Sequence, residues 1–323
     1  MISEIFILSP GGLKSGGSEC LHQLCSKLND FGYHAFMYYF GPVETRIQPD
    51  SFTNYNIKIA LKVNDNPENI IIVPETYAYL VNGYKRSKRV IFWLSIDFFY
   101  KFQTFRRNRL KSALRLIRYP RLEKMDHSLI HFCQSEYAYQ YLQKYGIQNL
   151  FRISDYLIDD FSKPADLIMP GKKNMVAFNP KKGFHLTEKL IQLAPEISWV
   201  RLENMTRSQV IDALSQSKVY IDFGNHPGKD RIPREAALMY NCVITNREGS
   251  ANFFEDVPIP DKYKFIDPIA STPEILNLIN RIFSDFQLLM EDFHFYRTAI
   301  HQQEFQFIAE VKSTFEILTK KCI

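Results

Sequence analysis

Residues Lys218 to Ala251 read K-V-Y-I-D-F-G-N-H-P-G-K-D-R-I-P-R-E-A-A-L-M-Y-N-C-V-I-T-N-R-E-G-S-A. Val219 to Phe223 is apolar and β-branched, the composition of a buried strand. Gly224 to Arg231 follows as a polar loop with two glycines and a proline. Pro233 suits the first position of a helix, where its missing N–H leaves no bond unmade. Arg234 to Tyr240 continues that helix, Cys242 to Thr245 reads as a second buried strand, and Gly249-Ser250-Ala251 as a second loop. In an open parallel sheet both loops leave from the carboxyl ends of the strands, the edge where α/β sheets bind ligands. A helix N-terminus beside Lys229, Arg231 and Arg234 makes an anion site. Glu235, in the first turn, can accept from sugar hydroxyls.

The rest of the chain repeats this grammar. Glu4 to Leu8 reads as a strand, Ser9 to Gly17 as a glycine-rich loop, and Leu21, Leu24, Cys25 and Leu28 as one face of a helix that Gly32 ends. The loop matches neither the G-x-G-x-x-G fingerprint nor a P-loop. Strands follow at Tyr33 to Tyr39, Ile57 to Val63, Asn69 to Val73 and Val90 to Leu94. Glu75 and Asp97 stand just past two of them, where a carboxylate serves either as a general base or as a helix cap. His127 to Ser135 reads as a further strand. After an irregular acidic stretch around 158–172 the α/β pattern restarts at Met175. It includes a Lys181-Lys182-Gly183 loop and a helix from Arg207 capped by Thr206. Residues 272 to 290 read as a helix with Ile275, Leu276, Ile279 and Ile282 on one face. Residues 291–323 read as a long helix or a helix pair, with Phe305, Phe307, Ile308, Val311, Phe315 and Leu318 as its apolar contacts. The expected division is 1–157, a linker at 158–172, a second domain at 173–290, and terminal helices packing back on the first domain.

The composition bounds the function. At 323 residues with a net charge of +5, the chain has room for two α/β domains and too little positive charge to point to nucleic acid. Five scattered cysteines without a C-x-x-C pair suit a reducing compartment. The N-terminus lacks the basic region and cleavage site of a signal peptide, and no apolar run is long enough to span a bilayer. The expected location is therefore the cytoplasm. One local departure stands out. Between residues 101 and 124 basic groups, among them Arg106, Arg107, Arg109, Lys111, Arg115 and Arg118, face a single acid, Glu123. With interleaved apolar residues, this reads as a basic amphipathic helix suited to an anionic membrane surface.

Two Rossmann-like halves with a middle linker and terminal helices resemble the GT-B architecture, two domains facing across a cleft. The run from Glu235 to Ile244, E-A-A-L-M-Y-N-C-V-I, resembles the E-A-x-x-x-G-x-P-V-I segment of GT-B glycosyltransferases related to family 4. Tyr240 and Cys242 replace the motif's glycine and proline. Retaining members carry an E-x7-E pair, and here Pro227 stands where its first acid would be. The resemblance implies a metal-independent transferase without a cofactor, using a nucleotide-sugar as co-substrate. Its acceptor would be a glycan or a lipid-linked glycan of bacterial cell-surface polysaccharide synthesis, lipopolysaccharide or capsule. It further implies that Glu235 holds donor hydroxyls and that Lys181 or Lys182, with Lys229, Arg231 or Arg234, neutralises the leaving phosphate. Gly16 and Gly17 would lie near the donor phosphates, and Ser250 on the donor loop. An inverting reaction needs a base, with Asp97 the first choice and Glu75 and Glu19 next; a retaining one needs none there. His226, beside the absent acid, is a further candidate. The alternative is a catalytically silent GT-B-like binding protein.

Overall fold

The computed structural model describes residues 3–103, 122–158 and 168–319. The basic segment with Arg106, Arg107, Arg109, Lys111, Arg115 and Arg118 lies outside the described residues. The chain divides into two compact units. The first runs to Tyr156 and takes in the chain again from Glu304; the second is Leu157–Gln303.

The first unit is built on a parallel sheet of seven described strands: β1 (Glu4–Pro10), β2 (His34–Phe40), β3 (Lys58–Ile59), β4 (Ile70–Pro74), β5 (Lys88–Trp93), β6 (Ile130–Cys133) and β7 (Leu150–Arg152). Their order is β3-β2-β1-β4-β5-β6-β7. Alternation along the strands explains why both faces are covered. Ile5 and Ile7 join a core with Leu21, Leu24 and Leu28 of helix α1 (Gly16–Asp30). Phe6 and Leu8 point the other way, into a core with Ile71, Val73, Trp93 and Phe99. Phe99 belongs to helix α2 (Ile96–Gln103), and Ala138 and Leu142 of helix α3 (Glu136–Lys144) close the same layer. Ser15 caps α1 and Ser135 caps α3, each accepting from the amide three residues on.

The second unit has a five-stranded parallel sheet of β8 (Lys173–Phe178), β9 (Ser198–Arg201), β10 (Ser217–Asp222), β11 (Cys242–Asn246) and β12 (Lys264–Phe265), ordered β12-β11-β10-β8-β9. Helices α4 (Phe184–Leu193), α5 (Arg207–Gln216), α6 (Arg231–Leu238), α7 (Thr272–Ser284), α8 (Phe286–Leu289) and α9 (His294–His301) complete it. Thr206 and Gln209 form a reciprocal capping box at the start of α5.

Several expectations are corrected. The strand expected over Ile57 to Val63 is only Lys58–Ile59 at the sheet edge, and the chain leaves the ladder after it with Leu61 96% exposed. Helix α6 begins at Arg231, so Pro233 is its third residue and Glu235 lies past its first turn. Of the long helix or helix pair expected at the end, the pair is the one present, α9 and α10 (Gln303–Thr319), with α10 in the first unit. Phe307, Val311 and Phe315 are buried against that unit's sheet, while Phe305 is 76% exposed and is no core contact. Glu310 of α10 accepts both from the amide and from the hydroxyl of Ser154 at 2.7 Å.

Candidate functional site

In the second unit the chain goes from β8 outward to β9, then crosses back to β10 on the other side of β8. The sheet therefore reverses its winding between β8 and β10, and the carboxyl ends there open a crevice between diverging connections. The loops after β8, β10 and β11 all leave at this edge, and three glycines let them close on one another. A Cβ on Gly183 would stand 2.0 Å from the carbonyl oxygen of Phe223, and one on Gly224 would stand 2.6 Å from Cβ of Lys182. A Cβ on Gly249 would come within 2.1 Å of the carbonyl oxygen of His226. Gly183 and Gly249 also hold positive φ angles of 55° and 54°.

The charged groups are interlocked. Lys182 Nζ lies 2.7 Å from Asp230 Oδ1, and His226 Nδ1 lies 3.1 Å from Asp230 Oδ2. The second contact is a charge contact without hydrogen-bond alignment, since neither atom has an aligned partner. The other His226 nitrogen, Nε2, is 3.1 Å from the carbonyl oxygen of Asp222 and 3.9 Å from its carboxylate. Burial opposes a charge on His226, but the carboxylates of Asp222 and Asp230 outweigh it and raise its pKa. Asp230, although burial opposes its charge, is held below the usual carboxylate range by His226 and Lys182. Asp222 also accepts from the Tyr220 hydroxyl at 2.9 Å and from the Gly224 amide at 3.1 Å.

One turn along α6, the Glu235 carboxylate is 5% exposed as a residue. Its Oε1 faces two guanidinium groups, Arg231 at 3.6 Å and Arg207 at 3.8 Å. Arg207 is the first residue of α5, and in the sequence nothing distinguishes it from an ordinary helix start. Asp222 and Asp230 stand out no better; only their spacing of four on either side of His226 hints at them.

Three of the sequence-predicted residues hold the edge together from within. Arg234 is fully buried; its guanidinium donates to the carbonyls of Lys229 and Asp230 and to Oε1 of Gln303, at 3.0, 3.1 and 2.9 Å. It therefore anchors the loop from behind, a different job from meeting an anion in front. Ser250 donates its hydroxyl to the Gly228 carbonyl at 2.6 Å, and its amide to the His226 carbonyl at 2.9 Å. His226, buried with φ of 30°, is the pivot of the same loop. Lys181 is exposed, and Lys182, Lys229 and Arg231 are half-buried at the edge.

The first unit also reverses its winding, between β1 and β4. The glycine-rich loop follows β1 and Glu75 follows β4. Gly11 is required there because a Cβ would stand only 1.9 Å from the Thr45 carbonyl oxygen. Gly16 and Gly17 open α1, with Gly17 against Leu94. Glu75 accepts from the Leu94 amide at 3.0 Å and is 1% exposed; burial pushes its pKa to about 8. Glu75 thus holds its proton at neutral pH and is an acid or a structural carboxyl there, not a base. Asp97 lies in the first turn of α2, half-buried, with the Tyr137 hydroxyl 3.4 Å from its Oδ1. Glu19 accepts from the Tyr55 hydroxyl at 3.0 Å.

No family model and no curated protein matches the chain. Solved structures do. HepE from Anabaena, in complex with UDP-glucose, is similar over 98% of this chain and 99% of its own, at 13% identity and a TM-score of 0.61. Sucrose-phosphate synthase from Thermosynechococcus elongatus is similar over 98% and 99%, at 13% identity and a TM-score of 0.66. WaaG, a glycosyltransferase involved in lipopolysaccharide biosynthesis, is similar over 98% and 100%, at 12% identity and a TM-score of 0.57. The likeness at such identities is one of fold, and the chain has the GT-B fold of these glycosyltransferases, two Rossmann-like α/β units in succession.

Proposed function

We propose that the protein is a glycosyltransferase that moves a sugar from a nucleotide-activated donor to a glycan or lipid-linked acceptor of bacterial-type surface polysaccharide. The observation that carries this reading is the edge of the second unit, where Lys182, Arg207, Arg231, Asp230, His226 and Glu235 meet at the winding reversal. A fold shared with proteins solved with UDP and UDP-glucose supports the same donor class.

The chemistry follows from the charges. The bond between the anomeric carbon and the phosphate oxygen breaks, and its electrons stay on the phosphate. Lys182, Arg231 and Arg207, with Lys181 and Lys229 beside them, stabilise that developing charge, which grows in the transition state. Glu235 accepts from donor hydroxyls, its orientation fixed by the two arginines. His226 and Asp230 hold the loop so that Lys182 is aimed without reorganisation, and Arg234 and Ser250 brace it from behind. In this reading the leaving group is neutralised by side chains, without a metal ion or a cofactor. If the reaction inverts, Asp97 takes the acceptor proton, since Glu75 is protonated at neutral pH. The basic segment around Arg106 to Arg118 would keep the enzyme at the inner, anionic face of the plasma membrane, beside a lipid-linked acceptor.

The test is a transfer assay over a panel of labelled nucleotide-sugars, with wild type and Glu235→Ala. The proposal expects nucleotide release with one donor, reduced roughly a hundredfold or more in the variant. Nucleotide binding without turnover would favour the silent binding protein, and neither binding nor turnover would remove both readings.

A further inference from the structure

The loop that carries Lys229 and Asp230 is oriented by a residue far along the chain. Arg234 is fully buried, and its guanidinium donates from three nitrogens. Nε meets the Asp230 carbonyl at 3.1 Å, Nη2 the Lys229 carbonyl at 3.0 Å, and Nη1 the side-chain oxygen Oε1 of Gln303 at 2.9 Å. A guanidinium is planar and rigid, so an acceptor on one nitrogen fixes the directions in which the others donate. Gln303 is itself only 5% exposed, which leaves its amide little room to turn away. A short relay therefore runs from Gln303 through Arg234 to the backbone of Asp230, whose carboxylate holds Lys182 Nζ at 2.7 Å.

Gln303 stands where the second unit ends. Helix α9 stops at His301, Gln302 breaks the helix, α10 starts at Gln303, and from Glu304 the chain belongs to the first unit. Helix α9 packs against α6. Its Arg297 guanidinium lies 4.8 Å from the ring centre of Tyr240, just past the end of α6. The stretch from α9 to Gln303 thus holds α6 at both ends: Arg297 at the far end, Gln303 at the end that carries the loop.

We propose that Gln303 is a positioning residue of the donor site and couples donor binding to the α9–α10 junction. This role rests on the reading of the edge between β8 and β10 as the donor site. A turn of the backbone at Gln302–Gln303 moves Oε1, rotates the plane of the Arg234 guanidinium and shifts the carbonyls of the loop that sets Lys182. Such coupling is reciprocal, so a nucleotide whose phosphate engages Lys182 steadies the junction in turn.

The experiment is calorimetric titration of UDP, GDP, dTDP, ADP and CMP into the full chain, with hydrogen exchange followed at residues 302–305 in the free and nucleotide-saturated protein. Gln303→Leu removes the acceptor at similar size and should weaken the bound nucleotide at least about tenfold. Gln303→Glu keeps an acceptor for the guanidinium and should bind within about threefold of wild type. Nucleotide should slow exchange at the junction in wild type and leave it unchanged in Gln303→Leu. Equal affinity in wild type and Gln303→Leu, failure of Gln303→Glu to restore binding, or exchange at the wild-type junction that ignores the nucleotide would overturn the proposal. Should Gln303→Leu fail to fold, Gln303→Asn, which draws the same acceptor back by one methylene, is read in its place. Binding of no nucleotide by wild type removes the donor reading, and this role with it.

Discussion

His226 sits sealed between the carboxylates of Asp222 and Asp230, which favour a proton on its ring in the loop after β10. Its pKa in the folded chain is raised above the ordinary 6.5. Its contribution to stability is therefore complete below about pH 6.5 and is lost as the pH rises through the raised folded-state value. His226→Asn keeps a residue that tolerates positive φ but removes the charge. The thermal-melting advantage of wild type over this variant should be largest near pH 6 and should shrink towards pH 9. Glu75 gives a second pH signature. Its carboxyl titrates at about 8 when folded and at 4.5 when free, so stability falls between those values as only the unfolded chain releases the proton. Glu75→Gln should then be the more stable protein at pH 8.5, by on the order of 5 kcal/mol, and equal to wild type near pH 4. Chemical denaturation at both pH values checks this. At this scale the sequence was half legible. Lys182 and His226 could be picked out because they stand in loops after apolar runs, and Glu235 because it lies in the helix that follows such a loop. Arg207 could not, since nothing in its own stretch says that its guanidinium reaches across to Glu235. Nor could the inward turn of Arg234, whose acceptors are backbone carbonyls, and carbonyls leave no trace in sequence.

The loops of the second unit depend on backbones passing where no side chain fits. Gly183→Ala forces a Cβ into the Phe223 carbonyl and keeps a left-handed backbone, so unit stability should drop by about 3 kcal/mol or more, with nucleotide binding weakened in parallel. Gly32→Ala is the matched control: it has a φ of 82° but nothing within 4 Å, so only the left-handed cost of about 1 kcal/mol should appear. Melting curves of the two variants separate crowding from backbone strain. The elements themselves were readable where periodicity was long. The capped helix at Arg207, the β1–α1–β2 start and the paired strands β10 and β11 follow from apolar spacing and end residues. The two-residue β12 was missed, because two residues carry no period. The start of α6 was displaced by the attraction of Pro233 to a first position, although proline at the third helical residue also leaves no intrahelical bond unmade.

At the scale of the molecule, the last helix belongs to the first unit, although sequence order places it after the second. Phe307, Val311 and Phe315 are fully buried in that unit's core, and Glu310 and Glu304 add contacts to Ser154 and Lys27. Phe315→Ala should therefore destabilise the first unit by about 3–5 kcal/mol and leave the second unit's melting unchanged, as domain-resolved hydrogen exchange would report. The two-sheet architecture was legible because strands buried on both faces alternate with amphipathic helices twice along the chain. That the terminal helices pack back on the first domain was expected, but an apolar face does not say where along the chain the return falls, which is at Glu304. The nucleotide-sugar site proposed at the winding reversal of the second sheet is checked by calorimetric titration of UDP, GDP, dTDP, ADP and CMP into wild type and Arg231→Met. One nucleotide should bind saturably at one per chain and be weakened at least about tenfold in the variant. Saturable binding by none of them, or binding that Arg231→Met leaves untouched, would contradict it.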